Sequence, residues 1–177
     1  MRMTRLHLIG GSGAGKTTVG RALAAHWRVP FVDLDELYWE PGWRDVGHEE
    51  LARRVAPIAA QERWIIAGNY FATTKYQVWP RATKLVILDL PYPLMLWRTL
   101  RRTLARAITG ETCCNGNRES LWRLFHHDGL LRYLTRTWLQ RHARYATLAG
   151  EPALQHAEVV HLGSRRAIRA WLDRQTA

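Results

Sequence analysis

The chain has 177 residues, 47% of them hydrophobic and 23% charged, a balance that fits one globular domain and excludes an intrinsically disordered one. No charge-poor stretch approaches the roughly 20 apolar residues needed to span a bilayer. The formal charge is +11, with 23 arginines and only three lysines, Lys16, Lys75 and Lys84. Such a balance favours anionic partners, because arginine grips phosphate through a planar fork that lysine lacks.

In chain order, the first predicted element is a short apolar strand at residues 6–9, followed at once by Gly10-Gly11-Ser12-Gly13-Ala14-Gly15-Lys16-Thr17-Thr18. This satisfies G-x-x-x-x-G-K-[ST], and Val19, Ala22, Leu23 and His26 behind it recur at helical spacing. Strand, glycine-rich loop and helix start together predict a phosphate cradle. The amides of Gly11, Ser12, Gly13, Ala14, Gly15, Lys16, Thr17 and Thr18 would surround a polyphosphate. Lys16 would reach its outer phosphates, and the Thr17 hydroxyl would ligate Mg²⁺. ATP and Mg²⁺ are the expected cofactors.

Further apolar runs at residues 30–33, 64–67, 84–89 and 158–162 alternate with helical patterns. They predict a doubly wound α/β domain with a five-stranded parallel sheet. Pro57 should kink or split a helix over residues 48–61. Asp33 and Asp35 end the second strand, at the edge where ligands of such sheets bind. Over residues 93–108 the wheel puts Leu96, Trp97, Leu100, Leu104, Ala107 and Ile108 on one side and Arg98, Arg101, Arg102 and Arg106 on the other. Residues 109–118 form a loop, with Asn115-Gly116-Asn117 as its turn, and residues 119–148 are again helical. The helical hairpin thus lies between the fourth and fifth strands. Ser164 is a suitable N-cap for a last helix whose Ile168, Trp171 and Leu172 face the core. Among nine tryptophans, Trp64, Trp97 and Trp171 are expected in the core.

The domain core is read as residues 1–97 and 149–177, the helical lid insert as about 98–148, and the acceptor-binding region as about 33–70. Trp39 and Trp43 flank a Pro41-Gly42 turn, and with Tyr38, Arg44, Asn69 and Tyr70 they are the expected acceptor contacts. Asp89 follows four apolar residues and is a second candidate for metal. The adjacent Cys113 and Cys114 do not suit a mutual disulfide, and no C-x-x-C spacing supports zinc. His7, His142 and His156 receive no role. With two cysteines and a cradle opening at Gly10, neither a disulfide framework nor a signal peptide is expected, which favours the cytoplasm.

These segments resemble the small P-loop kinases of the adenylate kinase type, and more closely the adenylate kinase-related "topology modulation" proteins. The likeness rests on residues 10–18, on 33–35 continuing to 38–43, and on 64–70. Residues 88–91 leading to 96–98, and residues 115–119, complete it. It implies a sheet order of 2-3-1-4-5 and a lid after strand four. It also implies that Arg98 packs on the adenine, Arg102 reaches the phosphates, and the loop containing Arg165 closes over the base. The D-x-D pair is similar to that of shikimate- and gluconate-type kinases, which implies that Asp33 serves Mg²⁺ through water and Asp35 meets the acceptor. Lys16, Asp35, Arg98 and Arg102 are then the catalytic set. Related sequences carry an acid where this chain has Ala67, and the lid lacks the compact adenylate kinase pattern, so AMP is not implied. The implied activity is phosphoryl transfer from ATP to a nucleoside, a nucleotide or another compact acceptor, by a monomer or small homo-oligomer. A nucleic-acid-linked or regulatory ATPase, or a nucleotide binder with weak catalysis, is the alternative.

Overall fold

The computed structural model describes residues 4–119 and 130–177. Its centre is a five-stranded parallel sheet of β1 (Arg5–Gly10), β2 (Phe31–Asp33), β5 (Trp64–Ala67), β6 (Lys84–Leu88) and β9 (Glu158–Leu162). The spatial order is β2-β5-β1-β6-β9, which is the expected 2-3-1-4-5. The predicted strands hold to within one residue at either end. Pairing sets Gly10 beside Leu88 and Asp33 beside Ala67, so the P-loop and the first aspartate emerge from the same sheet edge.

One face of the sheet is covered by α3 (Gly47–Ala59) and α4 (Phe71–Gln77), with Leu51, Val55, Trp64 and Trp79 fully buried. The other is covered by α1 (Lys16–Trp27) and the last helix, α7 (Arg165–Thr176), which bury Leu23 and Trp171. Each such large apolar side chain contributes about 2 kcal/mol by leaving water. The Ser164 hydroxyl caps α7 by accepting from the Ala167 N–H at 3.1 Å, as its position predicts. Pro57 lies in the last turn of α3 and does not split it, since a missing N–H there costs the helix only one late bond.

The long helix α5 (Tyr92–Thr109) corrects the wheel expectation. Its buried residues are Met95, Thr99 and Thr103, whereas Trp97 is 63% exposed and Leu104 and Ile108 also face outward. The P-loop provides the reason. A Cβ on Gly13 would lie 2.7 Å from Thr99 Oγ1 and 2.8 Å from Met95 O, and Gly13 has φ +78°. The helix therefore sets Thr99 and the Met95 backbone against Gly13, where the approach is too close for a leucine or tryptophan side chain, and the flexible Met95 side chain lies against Gly11. Arg98 and Arg102 flank that buried stripe. The later helix, α6 (Leu130–Thr147), returns toward the sheet edge; the first part of the predicted helix over residues 119–148 lies mainly outside the described residues.

Two antiparallel ribbons add to the pattern that the sequence predicts. One joins β3 (Trp39–Glu40) to β4 (Arg44–Asp45); the other joins β7 (Thr112–Cys113) to β8 (Asn117–Arg118). Both turns need left-handed backbone: Gly42 and Trp43 have φ of 80° and 61°, and Asn115 and Gly116 have 61° and 79°. Glycine and asparagine meet that requirement at low cost.

Candidate active site

Gly15, with φ 100°, is the N-cap of α1 and provides no side-chain cap, and no acid lies in the first turn. The helix start therefore directs bare amides and its positive dipole end at the loop's concavity. Lys16 Nζ donates to Gly10 O at 2.9 Å and to Gly11 O at 3.3 Å. Burial pulls its pKa below the usual lysine range, Asp35 and Asp33 push it back up, and Arg141 and Arg102 pull it down again. Arg102 Nη2 donates to Ser12 Oγ at 3.1 Å. The Arg98 guanidinium sits beside Gly15, and burial and then Arg165 lower its pKa. Ser12, Gly15, Lys16, Arg98 and Arg102 thus lie around the P-loop, with the Arg165 charge near Arg98.

Across the sheet edge, Thr17 Oγ1 donates to Asp33 Oδ2 at 2.8 Å. Asp33 also caps the short helix α2 (Leu34–Tyr38), accepting from the Asp35 N–H at 3.2 Å. Burial, and then the Asp35 charge, raise the Asp33 pKa. Asp35 accepts from the Tyr70 hydroxyl at 2.5 Å, and Tyr70 packs against Tyr38 with ring centroids 4.6 Å apart. A hydroxyl and a carboxylate on adjoining elements form an oxygen donor set that suits a hard divalent cation.

Other predicted acceptor residues are engaged elsewhere. Arg44 is exposed and pairs with Glu40. The Trp39 ring stands edge-on to Trp43. The Trp43 indole N–H donates to Arg118 O at 3.0 Å, and its backbone N–H donates to Asn117 Oδ1 at 2.8 Å. Asn117 Nδ2 in turn donates to Glu40 O, and Asn115 Nδ2 to Trp39 O. The two ribbons are thereby fastened into one wall of the cleft. The Asn69 carboxamide faces Gly10, accepting from its N–H at 3.0 Å and donating to its C=O at 2.9 Å.

Other polar side chains near the site have partners that the sequence does not indicate. His7, given no role there, is buried beneath the site: Trp79 Nε1–H donates to its Nδ1, so its Nε2–H donates to Gly68 O. Burial depresses its pKa to about 4, so the ring is neutral. Asp89 Oδ2 binds His142 Nδ1 at 2.7 Å and His161 Nε2 at 3.0 Å, which ties α6 to the sheet edge and occupies the second metal candidate. Cys114 lies near Asp35 and Asp33; burial, followed by those charges and Cys113, lifts its thiol pKa to about 12. Among the described residues no group of three metal-ligating His, Cys, Asp or Glu side chains occurs, and no helix is long and apolar enough to cross a membrane.

Comparison with known proteins bears on the fold. The shikimate kinase family profile matches residues 12–45, the P-loop through the first ribbon. A shikimate kinase of Bacteroides thetaiotaomicron is 36% identical over 115 residues, 56% of this chain. One of Phocaeicola vulgatus is 32% identical over 117 residues, also 56% of this chain. The chain spans 64% of the length of each of these relatives. Among solved structures, the shikimate kinase of Acinetobacter baumannii in complex with shikimate superposes with a TM-score of 0.58 at 18% identity, over 97% of this chain and 90% of that one. A gluconokinase of Sinorhizobium meliloti gives 0.53 at 17% identity, over 98% and 94%. The closer tie to topology modulation proteins finds no support in these matches. The chain has the α/β fold of the P-loop kinases.

Proposed function

We propose that this protein is an ATP- and Mg²⁺-dependent phosphotransferase acting on a small hydroxylated acceptor. The observation that carries the reading is the convergence of Lys16, Thr17, Asp33 and Asp35 at one sheet edge, with Thr17 Oγ1 2.8 Å from Asp33 Oδ2. The P-loop amides and Lys16 hold the β- and γ-phosphates, and Arg98 and Arg102 approach from α5 to balance charge as the γ-phosphoryl group transfers. Thr17 and Asp33 would hold Mg²⁺, which would supply charge neutralisation at the phosphates. Asp35, steadied by Tyr70, orients the acceptor hydroxyl. The hydroxyl oxygen forms a bond to the γ-phosphorus while the bond to the β–γ bridging oxygen breaks. The proton passes to the Asp35 carboxylate and ADP leaves.

The acceptor class is drawn from the relatives. Their shikimate kinase names, and the shikimate complex among the structural neighbours, favour a polyhydroxylated carboxylic acid over the nucleosides and nucleotides considered from the sequence. ADP release measured with shikimate, gluconate and a panel of nucleosides and nucleotides tests this. Stimulation by a hydroxy acid supports the reading. If no acceptor raises turnover above the rate with water alone, the kinase assignment is lost.

A second reading, nucleotide binding with weak catalysis, is motivated by Ala67. It is fully buried and paired with Asp33 across β2 and β5. Under that reading Ala67→Asp raises Mg²⁺-dependent turnover, and an unchanged or lower rate counts against it.

A further inference from the structure

The loop after β5 holds a feature that the proposed chemistry leaves unused. Strand β5 pairs with β1 as far as Leu8 and Ala67 and then turns away at Gly68. Gly10, two residues further along β1, therefore lacks a β5 backbone partner on that side. The Asn69 carboxamide takes that place: its Oδ1 accepts from Gly10 N–H at 3.0 Å and its Nδ2 donates to Gly10 C=O at 2.9 Å. Only one orientation of the amide satisfies both groups. The same Gly10 carbonyl accepts from Lys16 Nζ at 2.9 Å, so the oxygen that holds the lysine is itself held by Asn69. Tyr145 of α6 adds a longer contact to Asn69 Oδ1 at 3.4 Å. From below, the loop is anchored by Gly68 N–H to Leu8 O at 3.0 Å and by His7 to Gly68 O at 2.9 Å.

We propose that Asn69 is a positioning residue for phosphoryl transfer, which clamps the Gly10 peptide and through it fixes where Lys16 meets the phosphates. The proposal rests on the phosphate-binding reading of the P-loop. It assigns Asn69 to the nucleotide side of the cleft instead of the acceptor side. Both amide atoms being committed to Gly10, the side chain acts through the loop and not on the acceptor. A lysine whose anchoring carbonyl can rotate loses alignment with the β- and γ-phosphates, and misplacements on the order of 1 Å at such a group carry large penalties.

The test compares wild type, Asn69→Asp and Asn69→Ala by calorimetric titration with ADP and by thermal melting. Asn69→Asp keeps the shape and the bond from Gly10 N–H but has no donor for Gly10 C=O. The expected result is an ADP Kd about tenfold higher for Asn69→Asp, and higher again for Asn69→Ala, the loss of about one well-placed hydrogen bond. Melting temperatures should stay close to wild type. Combining Asn69→Asp with Lys16→Ala should give no further loss beyond Lys16→Ala alone, because the two act as one unit. Additive losses, unchanged ADP affinity, or variants that both melt far below wild type would overturn the assignment and leave Asn69 as scaffold. If wild type itself binds neither ADP nor ATP, the phosphate-binding reading fails first and the Asn69 proposal falls with it.

Discussion

The two sides of the cleft proposed above are built in opposite ways. The nucleotide side is a contiguous stretch from Gly10 to Thr18 whose working groups are largely backbone amides, set by left-handed glycines and a helix start. The acceptor side is assembled from distant pieces. Asn115 and Asn117 reach Trp39 and Trp43 from more than seventy residues away in the chain, and Tyr70 reaches Asp35 across 35 positions. A phosphate cradle can be local because a polyphosphate asks only for converging N–H groups. A wall that selects one acceptor needs side chains from several elements, so its specificity depends on how those elements are fastened together.

Substitutions can separate the halves. Lys16→Ala should strike the nucleotide side alone, lowering ATP turnover by about 1,000-fold, the scale expected when a principal charge-stabilising donor is removed. Steady-state kinetics with a saturating acceptor checks it, and a loss below tenfold would break the comparison. His7 lies under both halves, so its effect should be on stability. In the folded protein it remains neutral down to about pH 4, while in the unfolded chain it protonates near 6.5. Stability is therefore lost as pH falls through that window, by up to about 3 kcal/mol from this group. Urea unfolding at pH 7 and at pH 4 should show a steeper acid loss for wild type than for His7→Gln.

Asp35→Asn should act on the acceptor side, reducing kcat by about 100-fold while leaving the Kd for ADP unchanged; a matching fall in ADP affinity would show that the halves are not separable. Asn117→Ala is the gentler probe of the same side. It removes the Asn117 bridge between the ribbons while the direct bond from Trp43 N–H to Glu40 O at 3.1 Å stays, costing about 1 kcal/mol of stability. Acceptor KM should rise about tenfold, since the loosened wall no longer holds its pre-formed shape. Denaturant titration and kinetics at fixed ATP measure the two effects together.

The legibility of each half follows the same division. The five sheet strands were readable because buried parallel strands are short apolar runs between helical patterns, as at Trp64–Ala67 and Lys84–Leu88. The two-residue strands of the ribbons are too short to show a period, and Asn115-Gly116-Asn117 could be read only as a turn. The face of α5 differs from the wheel expectation for a physical reason. Its most hydrophobic stripe, with Trp97, Leu104 and Ile108, looks outward, because Gly13 leaves room only for Met95 and Thr99 beneath the P-loop.

Sequence alone determined the strand–glycine loop–helix motif, the spacing of Asp33 and Asp35 and the five sheet strands, since each depends on neighbouring residues or on a local hydrophobic pattern; the order of the strands came from the family resemblance and is set by long-range pairing. Tertiary structure decided which side of α5 is inside and that Asn69 grips Gly10. It also decided that Trp43 and Asn117 bind the two ribbons into one wall, and that His7 supports the floor. Those contacts join residues separated by tens of positions, and they exist only where the strand ends and helices meet in space.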